Sequence, residues 1–170
     1  MTQYHKGSST SNQQEQENEP SHSMAWMPLE GIVEQWATFG GTYLTYHAFM
    51  ATSSVFSAFS CEASALRHYD EVCKARFNGA EITARAAFEQ VVEDLQQASS
   101  RWISTAYWLE RLAGSGQHTA SALASLRTFF SQATEQLERL GLLTQQVHQA
   151  YALFYQQHGM LIDAREEEQL

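Results

Sequence analysis

Proline is missing from everything after Pro28, lysine occurs only at Lys6 and Lys74, and cysteine only at Cys61 and Cys73. Each scarcity excludes something. Without proline, little beyond glycine can stop a helix along the body of the chain. Without clustered Lys or Arg, no segment can track a phosphate backbone. The balance of 19 acids against 10 bases gives a net charge of −9, and the acidic excess is spread along the chain. Nucleic-acid binding and electrostatic docking on anionic lipid are therefore not expected. A helix would turn Cys61 and Cys73, twelve residues apart, about 120° from each other, so they are read as free thiols of a reducing cytoplasm. No charged n-region followed by an apolar run marks a secretory leader.

Chemistry-bearing motifs are missing as well. A di-iron bundle needs Glu-x-x-His on two helices, and the chain has none. Cys-x-x-Cys-His for haem attachment is missing, and no Gly-rich loop follows a strand. His47 and Met50 would ligate a haem only with partners from other helices. Glu89 and Glu93 stand opposite an apolar seam, as solvated carboxylates do. Cys61, Glu62, His68, Asp70, Glu71 and Cys73 are the densest group of ligating residues, yet their spacing is too open for zinc. No enzyme activity, metal or cofactor is expected.

What is present is helical periodicity. Leu123, Leu126, Phe130, Ala133, Leu137, Leu140, Thr144, Val147, Tyr151, Phe154, His158 and Leu161 alternate steps of three and four without a slip. Ala84, Phe88, Val91, Leu95, Ala98, Trp102, Thr105, Leu109 and Leu112 do the same. Asn78-Gly79 and Gly114-Ser115-Gly116 supply the stops, and Thr119 or Ser121 a cap. The expected fold is all-α: an elongated antiparallel bundle of three long helices over about residues 28–77, 80–113 and 119–165. Gly40-Gly41 is the expected kink in the first. Residues 1–24 hold almost nothing to bury and read as a disordered polar tail ahead of a single helical domain, 25–170.

The most unusual stretch runs from Gln35 to Cys61. These 27 residues contain no Asp, Glu, Lys or Arg. On one continuous helix, Trp36, Phe39, Tyr43, Tyr46, His47 and Met50 form a seam. Leu44, Ala48, Val55 and Phe59 form a second flank, with Phe49 and Phe56 nearly opposite the first seam. Only Thr42, Thr45, Thr52, Ser53 and Ser60 make a polar strip. Two neighbouring helices cannot cover such a helix all round, so something else should. A bilayer is one candidate by length, but Thr, Ser, Tyr, His47 and Gly40-Gly41 argue against a spanning helix.

The sequence therefore predicts a non-enzymatic interaction protein that docks on itself as a homo-oligomer or on a helical protein partner. The residues expected to carry docking are Trp36, Phe39, Tyr43, Leu44, Tyr46, Met50, Val55 and Phe59. The segment Leu29-Glu30-Gly31-Ile32-Val33-Glu34-Gln35-Trp36 and the Ala- and Gln-rich second helix resemble, in composition, phasins, the acidic long-helix proteins that coat polyester granules. That resemblance implies an alternative: an amphipathic coat on a hydrophobic granule or lipid surface.

Overall fold

The computed structural model describes residues 30–42, 45–116 and 118–167. They form four helices, α1 (Glu30–Thr42), α2 (Tyr46–Phe77), α3 (Glu81–Gly114) and α4 (Ala120–Glu167), with no strand among the described residues. The segment expected to be a disordered tail lies outside them. Local chemistry sets the helix ends. Thr45 caps α2 by accepting a hydrogen bond from the Ala48 N–H at 3.2 Å. At the other end Gly79 takes a φ of +66°. The Ala80 N–H then reaches the Ala75 carbonyl at 2.9 Å and the Gly79 N–H reaches that of Arg76 at 3.2 Å, the paired bonds of a Schellman ending. Of the two candidate caps for the last helix, Thr119 is the one used, accepting from the Ala122 N–H at 3.2 Å.

Helices α2, α3 and α4 are the three long antiparallel helices that the seams predict, and α4, with 48 residues, extends about 72 Å at 1.5 Å per residue. The first helix departs from expectation. It does not run unbroken from about residue 28 to 77, and just past the expected kink at Gly40-Gly41 it breaks into two helices. Helix α1 passes through Gly40 and Gly41, stops at Thr42, and Thr45 opens a new helix. Trp36 meets Trp102 edge to face at 6.1 Å, and Phe59 meets the same Trp102 at 5.5 Å. Tyr46, just past the break, sits beside Trp108 at 5.6 Å. Trp36 and Phe59 thus lie at one level of α3 while Tyr46, which follows Thr42 by four residues, lies at another, so α1 folds back antiparallel to α2. The reason is burial. One straight helix would hold Trp36 and Phe39 beyond the end of the bundle, whereas the reversal places both against Phe129 of α4, at 4.6 and 4.4 Å.

All nine seam residues of α3 are buried. In α4 the seam residues Leu126, Ala133, Leu140, Val147 and Phe154 are buried, but Phe130 is not, and Leu143, off the seam, is. The shift follows from α1: α4 serves α3 on one flank and turns Phe129 and Gln132 to α1 on the other, with Gln132 donating to Gln35 at 2.9 Å.

One polar node crosses the core. Glu62, 4% exposed, accepts from the Trp102 indole N–H at 3.2 Å and pairs with Arg139, whose Nε donates to Gln136 Oε1 at 2.8 Å. Periodicity alone groups Arg139 with the solvated charges of the last helix, and the structure corrects this. Its long stem spans the gap between α4 and α2 and delivers the guanidinium to Glu62, the only buried carboxylate among the described residues. His68 adds a second tie between α2 and α3, its Nδ1 2.9 Å from Asp94 Oδ2.

Replacing Glu62 by Ala leaves the buried Trp102 N–H without its acceptor and takes the carboxylate from Arg139, which keeps Gln136, so a loss of about 2–3 kcal/mol is expected in urea denaturation. Trp36 tests the folded-back helix. Trp36→Ala should cost about 3–5 kcal/mol. Trp36→Phe should cost under about 1.5 kcal/mol, because the indole Nε1 has no hydrogen-bond partner among the described residues to lose. Equal losses for the two Trp36 variants would show that the ring volume is not what holds α1 in place.

Candidate interaction surface

The uncharged stretch from Gln35 to Cys61 is divided by the break between α1 and α2, and its two halves meet different fates. Trp36 and Phe39 on α1 are buried, as are Val55 and Phe59 on α2. These four of the expected docking residues line the chain's own core. Met50 is half-buried and Tyr46 is 65% exposed. Tyr43 and Leu44 lie outside the described residues. The folded-back α1 is therefore itself part of the missing cover, and it lies toward the Val55 and Phe59 flank.

The other flank of α2 is left open. Phe49 is 66% exposed and Phe56 41%, with Thr45, Ser53 and Ser60 exposed among them. The helical pattern of the sequence puts Phe49 and Phe56 opposite the seam and outside the expected docking set. The signal was the wheel itself: the buried Ala51, Ala58 and Glu62, together with Val55, set the inward side of α2, and Phe49 and Phe56 lie well over a quarter turn round from that centre. This face carries aromatic rings and hydroxyls and no charge from its start at Thr45 to Cys61. An ordinary outward face of a bundle helix carries Glu, Lys or Arg, as α3 does with Glu89, Glu93 and Arg111.

At its N-terminal end the face runs into an aromatic cluster shared with α3. His47 stacks on Trp108 at 5.8 Å and 28°, Tyr46 meets Trp108 at 5.6 Å, and Tyr107 touches Trp108 at 5.1 Å. Arg111 lies over the Tyr107 ring at 5.1 Å and donates from Nε to its hydroxyl at 3.1 Å. Amphipathic rings half in water, with a guanidinium at the edge, are the composition of protein interfaces. A separate open groove between α3 and α4 is lined by Leu109, Ala113, Leu123, Leu126 and Phe130, with Glu110 and Arg127 at its sides. Its charged rim is what any amphipathic helix pair presents.

The potential ligating residues are dispersed. Cys61 is half-buried against α3, its Sγ 3.9 Å from Gln97 Oε1, while Cys73 is exposed. Glu62 is taken by Trp102 and Arg139, and His68 by Asp94. Among the described residues no three His, Cys, Asp or Glu side chains gather as a metal site. None of the described helices is long and apolar enough to cross a membrane. No protein-family model matches the chain, and no curated protein or solved structure does. Its class is thus defined by architecture alone: an all-α bundle of three long helices with a short fourth folded against one end.

Burial pushes the Cys61 thiol above its ordinary value of 9.0, with the Asp94 carboxylate adding to the effect. Burial likewise raises Tyr69 and Tyr151 above 10.0, helped by Cys73 and Glu89 respectively. These groups hold their protons more tightly folded than unfolded. Their contribution to stability is complete below about pH 9 and is lost as pH rises through their folded values. The urea midpoint should accordingly fall between about pH 9 and 11. Alkylation at pH 8, read by mass spectrometry, should label Cys73 well before Cys61; equal rates would mean that α2 and α3 open readily at Gln97.

Proposed function

We propose that this is a non-enzymatic interaction and assembly protein that docks through the outer face of α2, on itself or on a helical partner. One observation carries the reading: Tyr46, Phe49 and Phe56 stand exposed on a face without charge, where a helix of a solitary bundle would be charged. The neighbouring Tyr46, His47, Trp108 and Tyr107 cluster extends the same face and supplies rings that lose little rotamer entropy on docking. The buried residues act as scaffold, holding α2 in the bundle with its outer side chains in fixed order. A reducing cytoplasm suits its two free thiols.

A coat on a hydrophobic granule or lipid surface is the second reading. It is favoured by apolar side chains exposed on other sides of the bundle, Ile103 at 60%, Leu142 at 62% and Leu153 at 59%. A coat needs no single docking face, so the two readings part on stoichiometry.

Light scattering of the purified chain, with and without mild detergent, separates them. Docking through α2 predicts a discrete mass in plain buffer, or a stoichiometric complex with a helical partner, and Phe56→Glu should weaken either by about tenfold or more while helicity is kept. Assembly that ignores Phe56→Glu would put the docking face elsewhere. A coat predicts uptake onto oil droplets without fixed stoichiometry, and protein that stays in the aqueous phase would end that reading.

A further inference from the structure

We propose that the occupant of the α2 face is a second copy of this chain, its α2 lying antiparallel across the first about a two-fold axis between residues 54 and 55. This rests on the docking reading above and names the partner. The order of the exposed side chains points to it. Tyr46, Phe49, Ser53, Phe56, Ser60 and Ala63 follow one another in steps of three and four, so they make a second seam on the side of α2 turned from its own core. All but the half-buried Ala63 are exposed. Steps of three and four are what a partner helix needs for knobs-into-holes packing.

The seam is also complementary to itself. Reversed about its midpoint, it sets Tyr46 against Ala63, Phe49 against Ser60 and Phe56 against Ser53. Every ring meets a small residue, and every pair joins the first position of one heptad to the fourth of another, as antiparallel helices require. Large facing small is how layers interdigitate without voids or overpacking. A parallel pair would instead oppose Phe49 to Phe49 and Ser53 to Ser53, leaving crowding and gaps by turns. An isologous contact of this kind closes after two copies.

Charge agrees with the geometry. A chain of net charge −9 repels its own copies, so a self-contact is tolerable only where neither copy brings a carboxylate. The seam has none, and the flanking Met50, Thr52 and Ser57 are uncharged too. The seam is about 26 Å long at 1.5 Å per residue. One helix-on-helix contact of that length sits at the small end of specific interfaces, so a dimer with a dissociation constant on the order of micromolar is expected.

The test is a paired charge exchange at two exposed positions, Phe49→Lys and Ser60→Glu, each in an otherwise unchanged chain. Alone, each should weaken the homodimer by about a hundredfold, because ring burial is lost on both sides or a carboxylate is set against Phe49 on both. Mixed, the two variants bring the introduced ammonium of one copy to the introduced carboxylate of the other and leave the second Phe49–Ser60 contact intact. The mixture should form a 1:1 heterodimer at least about tenfold tighter than either variant's homodimer, seen by native mass spectrometry and sedimentation velocity. Circular dichroism of each variant must keep the wild-type helicity; if one unfolds, Ser53→Glu with Phe56→Lys makes the same exchange at the centre.

Folded variants that weaken the dimer but give no heterodimer on mixing would overturn the antiparallel arrangement. A dimer that neither charge weakens would overturn both the second-copy proposal and the docking face beneath it. A wild-type chain that stays monomeric at about 100 μM, far above a micromolar constant, would overturn the second copy alone and leave the face to a different helical partner. Heterogeneous particles that detergent resolves would overturn it in favour of a surface coat.

Discussion

The bundle turns on Trp102. Its ring is fully buried where all four helices meet, with Trp36 from α1 at 6.1 Å, Phe59 from α2 at 5.5 Å and the α4 ring Phe129 packed behind Trp36. Its indole N–H donates to Glu62, which Arg139 neutralises from α4. A carboxylate cannot be removed from water unless its charge is balanced and its lone pairs are met. Glu62 therefore fixes the level of α2 against α3 and of α4 against α2 together. An apolar contact can slide by a turn at small cost; this one cannot. The rings around it exclude water and so make the mismatched alternatives more costly still.

That node has a consequence for the uncharged stretch from Gln35 to Cys61. Once Trp102 needs a ring from α1 beside it, α1 has to fold back, and the stretch becomes two helices with separate tasks. Trp36 and Phe39 complete the core, while α2 keeps Ala48, Val55 and Phe59 inward. Tyr46, Phe49, Ser53, Phe56 and Ser60 then fall on the outward side of α2. Their lack of charge is unexplained by anything inside the bundle, and it is the property that a covered face needs.

Much of this was legible in the amino acids. The α3 seam from Ala84 to Leu112 is buried at every predicted position, because a helix flanked on two sides keeps one phase along its length. Asn78-Gly79 ends α2 as read, since only a residue free to take positive φ closes that kind of turn. The docking residues were less legible. Four of the eight are core: Trp36 and Phe39 because α1 folds back against the bundle, Val55 and Phe59 because they share the inward side of α2 with Ala51 and Ala58. Burial of Trp36 and Phe39 against Phe129 outweighed the continuity of one long helix, with Thr45 capping the new helix, and Gly40 and Gly41 lie within α1. Arg139 was misjudged for a related reason: a long stem can carry a charge inward, and no periodicity reports which charges do so.

The sequence by itself determined the secondary structure and its phase. Periodicity, two glycine-marked turns and the scarcity of proline leave little else possible for α2, α3 and α4, because backbone hydrogen bonding is local and each apolar residue's direction follows from its neighbours three and four away. Only the tertiary structure decided which apolar residues stay exposed. Burial depends on what lies across the gap, on Phe129 meeting Trp36, on Arg139 reaching Glu62, on α1 lying along one flank of α2 and not the other. Those distances are set by packing between residues far apart in the chain, and they are what separates Val55 and Phe59 in the core from Phe49 and Phe56 on the open face.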